Sequence, residues 1–170
     1  MSKNDQPKGI RGWLLFYVIA NSILLLMLLV LLYEQSTELF SGVIDTPQSH
    51  RNTLSQILIL LAVQCCIAAY ILWRLIKVQN NPKTVKVVIR LHWLSLVVTW
   101  IMSFLTIHSF SILLESYDVS TDFFAKDIRS IMFQASKDTI LTIIWVLYFM
   151  KSKRVRNTYG LNANQQQENT

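Results

Sequence analysis

The chain has 170 residues, the length of one ordinary domain. Only 15% of its residues are charged and 52% are hydrophobic, whereas soluble domains carry about 25% charged residues, so the composition argues against a soluble globular protein. The net charge of +6 does not indicate a nucleic-acid partner, because no recognised nucleic-acid-binding motif accompanies it. The apolar residues form long blocks, and about 20 apolar residues are enough for a helix to cross the hydrocarbon core of a bilayer.

Four apolar blocks follow one another along the chain and predict an all-α protein, an integral membrane four-helix bundle. The bundle would occupy residues 13-150, after a short cytoplasmic segment at residues 1-12. The four predicted spans lie at about residues 13-33, 54-74, 91-114 and 128-150.

The first three blocks are long enough to span without difficulty. The first, Trp13 to Leu32, contains Asn21 among its few polar residues. It follows a basic start, as a signal peptide would, but it is longer than the apolar region of about 7–15 residues found in signal peptides, so we expect a retained anchor. The second, Leu54 to Trp73, contains Gln64. The third, Leu91 to Leu114, has no acidic residue, Lys or Arg.

The fourth block is the weakest. Its apolar part, Ile140 to Met150, is too short to cross a bilayer alone. A complete span must therefore reach back through Lys137 and Asp138 to about Ile128. The alternative is a fourth segment that is only half inserted in the membrane.

The distribution of charge predicts the orientation, because short cytoplasmic loops carry an excess of Lys and Arg. Most of the acidic residues lie in the loops after the first and third blocks. Four spans with both termini in the cytoplasm bring most of the basic residues to the cytoplasmic side, where they would face anionic lipid headgroups. These basic residues are Lys3, Lys8, Arg11, Arg74, Lys77, Lys83, Lys86, Arg90, Lys151, Lys153, Arg154 and Arg156.

No sequence motif indicates catalysis, a metal or a cofactor. Cys65 and Cys66 are adjacent in the second block, where they have poor geometry for a mutual disulfide, so we expect them to serve packing. The three histidines, His50, His92 and His108, are scattered and have no metal-ligand partner at helical spacing. We therefore predict no cofactor and no enzymatic activity.

Lys137 and Asp138 are the exception, because an ionisable residue inside a membrane span is by default a candidate functional residue. Polar residues on each helix could face the same interior and partner these charges. Two interpretations stay open: hydrogen bonding between helices, and a solvated path or binding cavity. In either case we expect Lys137 and Asp138 to be coupled. The candidate interior consists of Lys137, Asp138, Gln134, Gln64, Ser103, Thr99 and Asn21.

The two ends of the chain carry a family resemblance. The segment GIRGWLL, from Gly9 to Leu15, and the segment YFMKSKRVRNTY, from Tyr148 to Tyr159, resemble the opening and close of the domain-of-unknown-function family 2569. Arg156 and Tyr159 stand where that family's pattern has Lys and Phe. The resemblance implies a bacterial inner membrane and four spans, and it implies no activity.

The tail, residues 151-170, is first basic and then rich in Asn and Gln, so we predict disorder from Asn157 onwards. Its basic part has two interpretations. It could anchor the last span on anionic lipid, or it could bind a cytoplasmic partner. The residues concerned are Lys151, Lys153, Arg154 and Arg156.

Two functional hypotheses follow from these patterns. The first is a non-enzymatic inner-membrane protein that acts through helix or partner contacts, as an accessory, assembly or envelope component. The alternative is a small oligomeric transporter or channel-like protein with a polar interior around Lys137 and Asp138. Its partners beyond lipid would be further copies of the chain or another membrane protein. A cavity that reaches Asp138 would favour the alternative, and a tightly packed interior would favour the first hypothesis.

Overall fold

The computed structural model describes residues 10–41, 47–79, 81–117 and 125–160. Throughout these ranges the regular structure is helical, so the predicted all-α class is confirmed. Four long helices are followed by one short helix. They are α1 (Trp13–Ser41), α2 (Gln48–Lys77), α3 (Pro82–Tyr117), α4 (Ala125–Lys151) and α5 (Lys153–Thr158).

The long helices extend beyond the predicted spans, because a helix can continue into water once it has left the bilayer. Two residues fix the position at which α3 begins. Pro82 occupies the first helical position, where its missing N–H is not needed. The side chain of Asn81 accepts a hydrogen bond from the backbone N–H of Lys83 at 2.9 Å, which caps the helix.

Three helices are long and apolar enough to cross a membrane, within Trp13–Thr37, Gln48–Lys77 and Pro82–Glu115. The chain is therefore a multi-pass membrane protein. The helix α4 is not among the three, and it carries Lys137 and Asp138 at its middle. Large apolar side chains on the outside of α1, such as Leu26 and Met27, are exposed, as expected of a helix surrounded by lipid.

The helices alternate in direction, and each packs along the next in the chain. Gln64 of α2 bonds Ser95 of α3, and Trp100 of α3 donates to the hydroxyl oxygen of Thr139 on α4 at 3.1 Å. Within the described residues, α1 and α4 have no comparably extended contact with each other. They contact each other near one end, where the ring of Tyr17 packs against those of Trp145 and Phe149.

That end, where α1 and α3 begin and α2 and α4 end, is called the basic end below. It contains the packed core, and its residues with no exposed surface include Leu14, Leu75, Val88 and Phe149. The described residues at this end include many Lys and Arg and no acidic residue. These basic residues are Arg11, Arg74, Lys77, Lys83, Lys86, Arg90, Lys151, Lys153, Arg154 and Arg156.

The tail differs from the prediction. The hydroxyl of Ser152 caps α5 by accepting a hydrogen bond from the N–H of Val155. Val155 and Tyr159 are completely buried in the core of the basic end. The prediction of disorder from Asn157 is therefore wrong as far as Gly160, because apolar residues among the polar ones anchor this segment. Residues 161–170, the segment before Ile10 and the loop tips are outside the described residues.

Candidate functional site

The four long helices enclose a cavity of about 720 Å³. It extends from His92 and Trp145 near the basic end to Leu31 and Ser130 towards the opposite end. Its volume lies within the range of about 300–1,000 Å³ that is usual for small-molecule sites. The interior of the protein is thus packed at the basic end, and the cavity lies between that packed region and the opposite end.

One side of the cavity is apolar apart from Asn21 on α1 and Gln64 on α2. The helix α1 contributes a row of residues at helical spacing, and α2 adds a second row facing it. These residues provide a surface suited to a hydrocarbon group. They are Ala20, Leu24, Leu28 and Leu31 on α1, and Leu61, Ile67, Ala68 and Ile71 on α2.

A stripe of hydroxyl groups on α3 forms part of the polar side. Thr99, Ser103 and Thr106 each donate to the backbone carbonyl four residues earlier, at 2.9–3.1 Å. A hydroxyl that donates in this way keeps lone pairs with which it can accept a hydrogen bond. The stripe therefore offers acceptors to the cavity.

Gln64 lies on α2 and also lines the cavity. Its side-chain nitrogen donates to the hydroxyl oxygen of Ser95 at 2.5 Å. The other atom of the amide, Oε1, is buried and has no hydrogen-bond partner among the described residues. Because Oε1 has almost no accessible surface, it is directed into the packing between helices and a molecule in the cavity would not reach it.

Asp138 lies on α4 and is the one acidic residue among the described residues that line the cavity, and no Lys or Arg lines it. Its carboxylate accepts a hydrogen bond from the side chain of Gln134 at 3.1 Å. At 1.5 Å per residue, Asp138 is about 20 Å from either end of α4.

Lys137 is directed elsewhere. Its side chain is exposed, and its Nζ lies 5.2 Å from the centre of the Phe133 ring, within range of a cation–π contact. Adjacent residues on a helix point about 100° apart, which separates this ammonium group from the cavity that Asp138 faces. The two neighbouring side chains therefore have different surroundings, although the charge of Lys137 still acts on the carboxylate of Asp138.

An aromatic layer closes the cavity towards the basic end. This floor consists of Tyr17, His92, Trp145 and Phe149. Tyr17 Oη and His92 Nε2 lie 2.6 Å apart and share a buried hydrogen bond. The Tyr17 ring packs edge-on against Trp145 and Phe149, with centroid distances of 4.6 and 4.9 Å. Tyr17 and Phe149 have no exposed surface, so the cavity is closed on this side.

The remaining wall is formed by α1 and α4, which both line the cavity but are not packed along each other. The cavity is only partly enclosed, and this pair of helices is the one without extended packing on this side.

The structure brings most of the predicted interior residues together. Six of them line the cavity, and Lys137 does not. The sequence analysis missed Tyr17 as part of the site, because an aromatic residue in an apolar block carries no signal of its hydrogen-bond partner. The six are Asp138, Gln134, Gln64, Ser103, Thr99 and Asn21.

The two end motifs meet in space at the basic end. Gly12 has a φ of +57°, which other residues rarely adopt. A Cβ atom at this position would lie 3.4 Å from Nη1 of Arg154, so the guanidinium covers the start of α1. The hydroxyl of Tyr159 donates to the carbonyl oxygen of Leu75 near the end of α2, at 2.8 Å. Burial raises the pKa of Tyr159, which keeps that donor protonated.

The four basic residues of the tail differ in exposure. Lys151, Lys153 and Arg156 are exposed, whereas Arg154 is partly buried against Gly12. The first three are therefore available to lipid headgroups or to a partner. Arg154 has a structural contact with Gly12 that its charge alone did not predict.

No metal site is evident in the described ranges, where no three His, Cys, Asp or Glu side chains are grouped suitably to hold an ion. Both cysteines are free thiols. The cavity instead combines one carboxylate, amide side chains and hydroxyl groups with a largely apolar wall. Such a surface can bind a molecule but has no apparent nucleophile with a base beside it.

Comparison with known proteins identifies the family. No curated protein and no solved structure matched the chain significantly. The family described as "Protein of unknown function (DUF2569)" matches residues 7–160. The matched region includes both end motifs, which meet at the basic end, and all of the cavity. The chain belongs to the DUF2569 family.

Proposed function

We propose that this chain is a non-enzymatic, four-span protein of the bacterial inner membrane that binds a small molecule in its intramembrane cavity, as the binding unit of a small oligomeric transporter would. The observation that carries this proposal is the cavity itself, with Asp138 on its polar side and apolar residues facing it. A tightly packed interior would have supported a purely structural role.

The proposal requires α4 to cross the membrane. Its 27 residues give a length of about 40 Å, which exceeds the hydrocarbon core of about 30 Å. It packs along α3, which is itself apolar enough to span. Asp138 then faces the cavity instead of lipid, and Lys137 can extend its long side chain towards the interface. These features support four spans.

The charges support an orientation with both termini in the cytoplasm. The basic end carries ten Lys and Arg residues among those described, and the positive-inside rule assigns such an end to the cytoplasmic side. The exposed side chains of Lys151, Lys153 and Arg156 are suited to anionic headgroups there.

Topology reporters test this arrangement. We expect a fluorescent protein that is active only in the cytoplasm to report when it is fused after Asn81 or Asn162. A phosphatase that is active only outside should report after Asp45 or Asp122. The fusion after Asn162 is decisive, because a chain with three spans would carry it to the outside. Phosphatase activity at that position would therefore contradict the four-span proposal.

Hydrogen bonding between helices does not account for the polar interior. The hydroxyls of Thr99, Ser103 and Thr106 donate to their own helix, so they do not join α3 to a neighbour. Among the described hydrogen bonds of Gln64, Thr99, Ser103 and Thr106, the bond between Gln64 and Ser95 is the one that joins two helices. A binding site explains this surface better.

The floor favours a binding cavity over a channel. Tyr17 and Phe149 are completely buried and block the direct route to the basic end. An open pore would need a continuous polar path, whereas access from the bilayer needs only a gap between α1 and α4, which do not pack extensively along each other. The geometry therefore supports uptake of a molecule from the membrane.

Purification in a mild detergent, followed by native mass spectrometry, tests the binding function. We expect a small amphipathic molecule to accompany the protein, with one molecule per chain, because the cavity is of small-molecule size. Identification of that molecule after extraction would name the natural ligand. Protein that carries no stoichiometric small molecule, and takes up none when amphiphiles are added, would contradict the proposal.

An accessory or assembly role is the second candidate, and the exposed basic residues favour it. Lys151, Lys153 and Arg156 could bind an acidic cytoplasmic partner as well as lipid. The same purification distinguishes the two roles, because an accessory protein should be isolated with a stoichiometric partner protein and an unoccupied cavity.

A further inference from the structure

The charge of the cavity indicates which head group its ligand carries. We infer that the cavity takes an amphiphile with a protonated amine as its head group, an inference that rests on the proposed binding function. Asp138 provides the only formal charge among the described lining residues, and that charge is negative. The apolar wall on α1 and α2 would hold the hydrocarbon part.

The hydrogen-bonding groups of the cavity agree with this assignment. A primary ammonium group has three donors and no acceptor. The cavity offers acceptors on two walls: the carboxylate of Asp138 on α4 and the lone pairs of the α3 hydroxyls. An ammonium group in this space would therefore offset the charge of Asp138 and donate to the hydroxyl oxygens of α3.

An anionic head group fits poorly. Like charges repel strongly in a low-dielectric site, and no Lys or Arg lines the cavity beside Asp138. The charge of Lys137 acts on the carboxylate, but its side chain is exposed and packs over Phe133 instead of lining the cavity. A neutral alcohol could donate to an α3 hydroxyl oxygen but would gain nothing from the carboxylate charge. The expected order of affinity is therefore amine, then alcohol, then carboxylate.

The side between α1 and α4 provides the route in this proposal. Both helices line the partly open cavity, and they do not pack extensively along each other. A molecule entering there meets Leu24 and Leu28 on one side and Asp138 on the other. An amphiphile from the membrane can thus place its tail and its head group without crossing the aromatic floor.

Three probes with the same chain and different heads test the inference: octylammonium, octanol and octanoate. Binding is measured by equilibrium dialysis with isotopically labelled probes and the full chain in zwitterionic nanodiscs. Two controls correct for partition of the probes into lipid. The first is empty nanodiscs, and the second is nanodiscs with the Ala20→Phe variant, in which a larger side chain fills the cavity. We expect octylammonium to bind about tenfold more tightly than either of the other probes, as a charge-assisted contact allows.

Asp138→Asn should remove this preference while octanol binding is retained, which also shows that the variant folds. Asp127→Asn is the matched control, because Asp127 is an exposed acid on the same helix, and it should leave the preference unchanged. Equal binding of octanol or octanoate by the unmodified chain would overturn the amine assignment and leave the binding function intact. Binding of no probe above the Ala20→Phe background would overturn both.

Discussion

Replacing Tyr159 with alanine is expected to lower the free energy of unfolding by about 3–5 kcal/mol, the usual loss when a large buried aromatic side chain is removed. Tyr159 has no exposed surface and belongs to the core cluster of the basic end. Its hydroxyl also satisfies the carbonyl of Leu75, one of the last carbonyls of α2. One side chain thus connects the tail to the second span.

Tyr159→Phe separates the two contributions. It retains the ring and removes the bond to Leu75, so the expected loss is about 1–3 kcal/mol. Lys153→Ala, an exposed change on α5, should shift the free energy by no more than about 0.5 kcal/mol. Reversible unfolding in mixed detergent and SDS micelles measures all three variants. A loss for Tyr159→Ala as small as that for Lys153→Ala would show that the tail is not packed into the core.

Replacing Tyr17 with alanine should have a similar effect, a loss of about 3–5 kcal/mol, because it removes the centre of the aromatic floor. The ring contacts Trp145 and Phe149, and the hydroxyl bonds His92 at 2.6 Å. Tyr17→Phe keeps the ring and leaves the buried imidazole nitrogen without this partner, so the expected loss is about 1–3 kcal/mol.

Tyr33 provides the matched control for Tyr17. It is on the same helix, but its side chain is 70% exposed, so Tyr33→Ala should change the stability by no more than about 0.5 kcal/mol. The same unfolding measurement applies. Equal losses for Tyr17→Ala and Tyr33→Ala would mean that the floor is not a packed layer, and the cavity would then have no closed side.

The sequence predicted the helical class and the family because both depend on local patterns. Long apolar blocks indicate helices directly, and the end motifs are contiguous segments. The polar interior was also largely foreseeable, because residues such as Thr99 and Ser103 recur at helical spacing on one face. Asp138 was singled out by its position within an apolar helix.

Other features depend on tertiary packing and were not predictable. Sequence alone does not specify how α4 is oriented about its own axis. In the structure this orientation directs Asp138 towards the cavity and leaves Lys137 exposed. The sequence analysis therefore placed both residues in the interior. It also gave no sign that Tyr159 folds back onto Leu75, since the surrounding residues are polar. The lack of extended packing between α1 and α4 was also not predictable, because composition does not determine which helices pack along each other.

The occupancy of the cavity tests the central claim most directly. Ala20 lines the cavity and Ala69 is exposed on α2 outside it, so Ala20→Phe and Ala69→Phe introduce the same side chain inside and outside the site. Native mass spectrometry counts the small molecules carried by each variant and by the unmodified chain. We predict one bound amphiphile per chain for the unmodified protein and Ala69→Phe, and its loss from most Ala20→Phe chains. Equal occupancy in all three proteins would contradict binding in this cavity.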